Sequence, residues 1–591
     1  MSARELITEH LDLWTGAVKK KSSSGRGSNG KAELTGVKKL RELILELALS
    51  GRLVEPEPDE EPAQSLLAKI EAEKARLTAQ GLIKKPKKLA EAGDSQPYSL
   101  PPHWCWVQLG SVTNYGTTDK AEPKQVADNT WVLELEDIEK ESSRLLNKVR
   151  YTERQFKSSK NRFERGDVLY GKLRPYLDKV LVADEPGVCT TEIIPIRGYL
   201  GLLPEFLRLA LKSPSFKLYA NDSTHGMNLP RLGTDKARLA MIPLAPEQEQ
   251  HRIVQKVDQL MALCDRLEQQ TSDQLEAHET LVDTLLGSLL RNAEGSLTQS
   301  ENATELADNW ARLAAHFDTL FTTEQSIDKL KQTILQLAVM GRLVEQDAGD
   351  ELATNLLTQI HTRKMALAGE KRIKRPRPLT QLDETQHSYP APANWVWASF
   401  EDIADEISTG PFGSMIHKHD YVENGTPLVN PSHMVSGGIK EDSSVSVTPA
   451  KAEELSSYKL AKGDIVMARR GEVGRCAIVT DRESGWLCGT GSFVLRFHSA
   501  INRRFILLLF STDTVRDYLT GNSVGTTMTN LNHGILKKMP VALPSTEEQY
   551  RIVQKVDELM ALCDQLKERL NRASETRCQL AAAVVEGAVK R

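Results

Sequence analysis

The sequence predicts an α+β protein organised as a pseudo-twofold tandem duplication, with two mixed α/β domains separated by long antiparallel coiled-coil helices. Three observations carry that prediction. An ordered set of segments occurs twice along the chain. The segment that closes each round has the spacing of a long helix. The stretches inside each round read as short strands broken by Gly, Pro and Asn.

The duplication is direct. Residues 252–265 read RIVQKVDQLMALCD and residues 551–564 read RIVQKVDELMALCD, differing only at Gln259 against Glu558. LRELILELALSGRLVE at 40–55 matches LKQTILQLAVMGRLVE at 330–345, IKKPKKL at 83–89 matches IKRPRPL at 373–379, and LPPHWCW at 100–106 matches APANWVW at 391–397. The order is kept and the offset stays at about 290 to 299 residues, far longer than the repeat of a stacked solenoid, so whole domains are duplicated.

The closing helices come next. Ile253, Val257, Leu260, Cys264 and Leu267 alternate steps of three and four in the first; Ile552, Val556, Leu559, Cys563, Leu566, Leu570, Leu580 and Val584 continue the pattern in the second. Such a seam predicts coiled-coil packing. MIPLAPEQEQ and MPVALPSTEEQ precede the helices, and proline followed by acidic residues suits a helix start. A 40-residue helix would be roughly 60 Å long at ~1.5 Å per residue.

The predicted organisation is an N-terminal helix at 1–18, a flexible Lys/Ser/Gly linker at 19–31 and a helical region at 32–99. A mixed domain at 100–245 and a long helix at 246–290 complete the first half. After a hinge at 291–310 come a helical region at 311–390, a mixed domain at 391–543 and a closing helix at 544–591. Composition is that of a globular protein, with 40% hydrophobic and 26% charged residues and no apolar run near the ~18 residues that span a membrane. The charged N-terminus is unlike a signal peptide, and a cytoplasmic location is expected. Seven scattered cysteines form no Cys-x-x-Cys, so reduced thiols are expected; Cys105 has no evident purpose.

The net charge of −4 and pI near 6.4 argue against nonspecific coating of nucleic acid, so any DNA binding rests on local charge. The two middles hold that charge. Lys160 to Lys179 contains six Lys/Arg against three Asp/Glu, and Lys462 to Arg475 four against two. Arg can bond guanine bidentately, Lys and Arg neutralise phosphates, and Asn or Gln suits adenine. The candidate DNA-binding residues are Lys160, Arg162, Lys172 and Arg174, then Asn228 and Arg231 in THGMNLPRL. In the second half they are Ser414, His417 and Lys418 in STGPFGSMIHKHD, Arg469, Arg470 and Arg475 in ARRGEVGR, and Thr527 and Asn530 in GTTMTNLNH. The middles match each other only sparsely, as in GDVLY against GDIVM and KVLVAD against CAIVTD, which points to one frame holding two differently tuned readers.

Catalytic motifs are missing. There is no phosphate loop of the form G-x-x-x-x-G-K-[ST], no Gly-rich AdoMet-binding loop and no Asn-Pro-Pro-aromatic motif; Asn430-Pro431-Ser432-His433 reads as a turn. Thirteen histidines occur singly or as His417-x-His419, without a matching ligand cluster, so no metal is expected. A stand-alone endonuclease–methyltransferase is disfavoured by these absences. A scaffold without DNA affinity would not need basic, divergent middles, but composition alone leaves it open.

Nearly the whole chain resembles the specificity subunit of type I restriction-modification systems, closest to the IB subgroup. The resemblance rests on the ILxLAxxGRLVE segments, the LPxxWxW-like lead-ins, GDVLYGKLRPYL, GPFGS, the IPLAPEQEQxRIV run, and FTTEQSIDKLKQTILQLAVMGRLVEQ with the Lys/Ser/Gly linker upstream. It implies two target-recognition domains, each reading half of an asymmetric bipartite DNA site. It implies helices that hold them apart and bind two modification subunits, with restriction subunits added. It also implies that AdoMet, ATP and Mg belong to those partners, and that this chain is a non-catalytic subunit binding no cofactor of its own.

Overall fold

The structure is a computed structural model. It describes residues 3–20, 32–83, 89–90, 98–225, 228–290, 299–379, 382, 387, 389–521 and 531–590. The chain forms two compact units, one of residues 1–275 with 572–591 and the other of residues 276–571. Most of the predicted linker, at 21–31, and residues 291–298 of the predicted hinge lie outside the described residues; residues 299–315 of the second segment are helix.

In the first unit the predicted N-terminal helix is two, Ala3–Thr8 and Leu11–Gly16, because His10 at φ −113° and ψ 25° leaves the helical conformation between them. The segment is not isolated. Leu6, Leu13, Trp14 and Ala17 join the main core together with Val37 to Leu49 of the helix Thr35–Leu49. Contact there is close: a Cβ on Gly36 would stand 2.2 Å from the Trp14 carbonyl oxygen, so no larger residue fits without moving backbone.

Each mixed domain begins and ends on one two-stranded ribbon. Cys105–Gln108 pairs antiparallel with Met241–Leu244, and Val396–Ser399 with Pro540–Leu543. Cys105 is thus a strand residue, half-buried, whose thiol pKa is raised by burial. Inside the first domain, Ile193–Ile196, Val168–Gly171 and Val180–Val182 form one sheet. Lys120–Ala121, Lys160–Phe163, Gly187–Cys189 and Trp131–Leu133 form another. The second domain repeats the first of these as Ser492–Phe497, Ile465–Ala468 and Cys476–Ile478, with Ala404–Thr409 added at the edge. The sparse matches GDVLY/GDIVM and KVLVAD/CAIVTD therefore mark the same paired strands in both domains.

The long helices are Glu247–Leu290 and Thr546–Lys590, of 44 and 45 residues. Residues 247–275 of the first belong to one unit and 276–290 to the other, and the second helix divides the opposite way at 571/572. Ile253, Val257 and Cys264 are buried in the first unit's core with Leu260 and Leu267 packed against it, and Ala581, Val585 and Ala588 from the end of the second helix lie in that same core. In the second unit, Ile552, Val556 and Cys563 are buried with Leu559 and Leu566 against them, and Val282, Leu286 and Leu289 join from the end of the first helix. The stripe departs from expectation beyond Leu570. Steps of three and four lead through Ser574 and Cys578 to Ala581, and leave Leu580 54% exposed, one position off the buried face.

The same side chains lock both halves. At the first turn of each long helix a buried carboxylate accepts the indole N–H of the lead-in tryptophan: Trp104 Nε1 to Glu249 at 2.9 Å and Trp395 Nε1 to Glu548 at 2.8 Å. The next residue holds the domain, Gln250 accepting from the Leu203 N–H at 2.9 Å and Gln549 from the Asn502 N–H at 2.8 Å. Two residues on, Arg252 pairs with Glu60 and Arg551 bidentately with Asp350 at 2.9 and 2.6 Å, tying in the helical regions. At the far end, the Arg of each Gly-Arg-Leu-Val-Glu segment donates to a terminal carbonyl of the other half's long helix, Arg52 to Ala588 and Arg342 to Leu289.

Glu548 is fully buried, and burial, the largest influence, raises its pKa against the lowering by Trp395 and Gln346. Glu548→Ala strips the indole of its acceptor and should cost about 1–3 kcal/mol, whereas Glu548→Gln keeps an acceptor and should cost less. Because the folded value is raised, the carboxyl's stabilising contribution is complete below the ordinary carboxylate range and is lost as pH rises through the folded value. Urea denaturation at several pH values should show this component in the wild type and not in Glu548→Gln.

Candidate nucleic-acid interface

Backbone hydrogen bonds build the reading loops of both domains on one plan. In the first domain Lys172 follows strand Val168–Gly171; its N–H donates to the Glu192 carbonyl at 2.9 Å and its carbonyl accepts from the Leu232 N–H at 3.0 Å. In the second, Arg469 follows Ile465–Ala468; its N–H donates to the Gly491 carbonyl at 2.9 Å and its carbonyl accepts from the Leu531 N–H at 2.9 Å. Leu232 and Leu531 are both buried, so each strand end is backed by a buried leucine. Lys172 and Arg469 thus hold equivalent places although the surrounding sequences differ.

In the first domain this plan gathers four of the six candidates. The Arg174 N–H donates to the Pro230 carbonyl at 2.7 Å, and Leu173 bridges Arg231. Lys172 and Arg174 therefore lie beside the loop carrying Asn228 and Arg231, whose residues 226–227 are outside the described set. Arg174 sits at φ 51°, a left-handed conformation disfavoured for a residue with a Cβ, and is exposed. Asn228 is exposed as well. Arg231 is held by Glu192 at 3.0 Å. Lys160 and Arg162 belong to the other sheet. Lys160 is paired with Glu134 with its ammonium over the Phe156 ring, and Arg162 donates to the Gln125 carbonyl at 3.1 Å.

In the second domain, Arg469 and Arg470 occupy the turn. The Arg469 guanidinium lies 5.7 Å from the Phe493 ring centre and donates to the Leu531 carbonyl at 3.2 Å, a positioning contact. Arg470 is exposed and lies beside Gly491, whose φ of 79° is a left-handed conformation that favours glycine. The Gly410 N–H donates to the Ser492 carbonyl at 2.9 Å, which brings the Gly-Pro-Phe-Gly-Ser loop to the same strand end. Ser414, His417 and Lys418 are exposed along that loop, and the rings of His417 and His419 stack at 5.3 Å. Arg475 is paired with Glu472. Thr527 and Asn530 lie outside the described residues.

Three residues at these loops escape a reading based on charge. Phe412 is 66% exposed and Tyr176 is 53% exposed, each on a loop that also carries candidates. His533 stacks on Phe493 at 5.8 Å and its Nε2 lies 2.8 Å from the Ile407 carbonyl, closing the turn from the other side. The aromatic beside cations was visible in KLRPYL and the aromatic between glycines in GPFGS; the role of His533 depends on a contact 126 residues away and leaves no local signal.

The arrangement places hydrogen-bond donors on strand ends. Among the described residues no group of His, Cys, Asp or Glu is placed to hold a metal ion, and no helix is long and apolar enough to cross a membrane.

Residues 394–574 match the family described as the type I restriction modification DNA specificity domain. Along its full length the chain is similar to the type I restriction enzyme EcoEI specificity subunit of Escherichia coli, with 34% identity over 622 residues covering 100% of both chains. It is similar to the EcoAI specificity subunit of the same organism, with 34% identity over 611 residues and 100% of both covered. Among solved structures it is similar to the HsdS subunit from Thermoanaerobacter tengcongensis, 18% identical over 84% of this chain and 98% of that one, with a TM-score of 0.42.

A guanidinium not already held by a carboxylate reaches a base edge at lower cost. Arg174→Ala and Arg470→Ala should each weaken binding of the specific duplex by about 1–3 kcal/mol and random duplex less. Arg475→Ala, which removes a paired side chain, should do less. Equal losses on both duplexes, in a fluorescence-anisotropy titration, would reassign Arg174 and Arg470 to phosphate contact.

Proposed function

The chain belongs to the specificity subunits of type I restriction-modification systems, and from that membership we propose how it divides the reading of DNA. It is the non-catalytic subunit that recognises DNA sequence. Residues 107–240 read one half-site through Lys172, Arg174, Asn228 and Arg231. Residues 398–538 read the other through Ser414, His417, Lys418, Arg469 and Arg470, with Thr527 and Asn530 of the GTTMTNLNH sequence as further candidates. Lys160, Arg162 and Arg475 contribute to the field around these loops.

The observation that carries the reading is the repeated pair of backbone bonds at Lys172 and Arg469, which presents two dissimilar sets of side chains on equivalent strand ends. Two such readers on one duplex face two half-sites at a spacing fixed by protein geometry. The long helices, each about 66 Å at 1.5 Å per residue and each shared by both units, set that spacing and dock two modification subunits. AdoMet enters with the modification subunits, ATP and Mg with restriction subunits, and the complex acts in the cytoplasm.

Selection of bound duplexes from a random library, using the chain with its modification subunit, should enrich two short motifs at one fixed gap. Exchanging residues 107–240 for those of a relative should alter one motif and leave the other. Enrichment of nothing by an intact complex, or a change in both motifs, would overturn the division. Insertion of four residues into either long helix should change the gap and neither motif.

A further inference from the structure

We propose that the proline-bearing basic link at 371–377 is a second DNA contact of the second unit, gripping the phosphodiester backbone beside the half-site without reading bases. It rests on the reading that this unit binds DNA through the turn at Arg469 and Arg470.

The link begins where the helix Ala353–Gly369 ends, with Lys371 at φ 60° turning the chain out of the helix. Lys371, Arg372, Lys374, Arg375 and Arg377 follow within seven residues, all exposed. Pro376 and Pro378 have no backbone N–H and favour an extended chain, so the segment neither folds back nor joins a sheet. Burial does not account for it.

The charges are weakly compensated. Arg372 has Glu370 at 3.6 Å. Lys374 and Arg375 have no carboxylate within salt-bridge distance among the described residues. Arg377 acts on Glu401, lowering its pKa together with Lys537 and Lys364, yet Glu401 is already bonded by Lys537. An exposed cluster of positive charge in a chain of net charge −4 complements a polyanion. A duplex, with one phosphate charge per ~1.7 Å of axis, supplies such a polyanion.

Position ties the link to the reading face. Lys537 and Lys538 end the helix His533–Lys538, whose first residue stacks on Phe493 beneath Arg469 and whose preceding Leu531 anchors the Arg469 turn. A six-residue helix spans about 9 Å. Lys537 bonds Glu401, whose pKa Arg377 also lowers, so the link passes close to the helix that follows the Arg469 turn. The first half carries Lys84, Lys85, Lys87 and Lys88 at the matching place in the sequence, outside the described residues.

The test is a salt titration of the full chain assembled with its modification subunit, on duplexes with and without the selected motifs. K374Q/R375Q/R377Q should flatten the slope of log affinity against log salt by about 2 to 3, since each neutralised phosphate contributes ~0.9. The flattening should be alike on both duplexes, the selected motifs should be unchanged, and the melting temperature should hold because the side chains are exposed. R375K/R377K, which keeps the charge, should retain the wild-type slope. An unchanged slope in the triple variant would overturn the proposal, as would loss of the modification subunit at unchanged DNA affinity, which would make the link a protein-docking segment. Failure of the wild type to tell the two duplexes apart would instead sink the base-reading assignment, while the slope on random duplex would still decide the link.

Discussion

The fold hangs on a hydrogen bond between an indole and a buried carboxylate. Glu249 and Glu548 each sit in the first turn of a long helix, where unpaired backbone N–H groups favour negative charge, and each accepts from the tryptophan that starts its mixed domain. Within three residues the helix start also binds the domain through Gln250 or Gln549 and the helical region through Arg252 or Arg551. Three structural elements thus converge on four consecutive residues. A buried carboxylate is costly unless bonded, so removal of one partner leaves the rest strained. The halves differ in how fully they meet that demand. Gln346 bonds the second oxygen of Glu548 at 2.6 Å, whereas Glu249 has His103 at 3.0 Å on the oxygen already bonded to Trp104 and its other oxygen unbonded.

A carboxylate lock at one end and an arginine at the other explain why each long helix serves two units. Its N-terminal turn is fixed inside its own half. Its last turn delivers Val282, Leu286 and Leu289, or Ala581, Val585 and Ala588, into the core of the other. Helix C-termini leave carbonyls without partners, and Arg342 and Arg52 supply donors there. Neither core is complete from a single copy of the repeat.

Much of this frame was legible because it is duplicated and periodic. RIVQKVD and GRLVE are identical in the two halves, and their arginines, Arg252 with Arg551 and Arg52 with Arg342, keep equivalent partners. The misread positions have physical causes. Leu580 looked like seam because it is leucine, but the buried face is followed there by small residues, Ala581 and Ala588, that hydrophobic spacing undervalues. The N-terminal helix is expected from sequence to run unbroken to residue 18 ahead of a flexible linker, yet it breaks at His10, and Trp14, fully buried, packs with the helix Thr35–Leu49. At the reading loops the sequence showed which stretches carry charge, and could not show which charges are already held. Lys160, Arg231 and Arg475 sit opposite Glu134, Glu192 and Glu472; Glu472 is a near neighbour of Arg475 in sequence, whereas the other two carboxylates lie 26 and 39 residues away.

That distinction accounts for how such a chain can change what it reads without ceasing to fold. The contacts that build the loops are backbone bonds, from Lys172 to Glu192 and Leu232 and from Arg469 to Gly491 and Leu531, and a backbone bond is nearly indifferent to the side chain that extends from it. Lys occupies the position in one domain and Arg in the other; Glu192 faces Gly491. What must persist is the buried leucine at each strand end and, in the second domain, the left-handed backbone at Gly491. The exposed side chains beyond, Arg174 and Tyr176 in one domain and Arg470 and Phe412 in the other, are no part of that backbone framework. Separating the groups that hold a loop from the groups it displays lets one scaffold carry two unlike readers, and the sparse match between the two middles is the sequence-level trace of that separation.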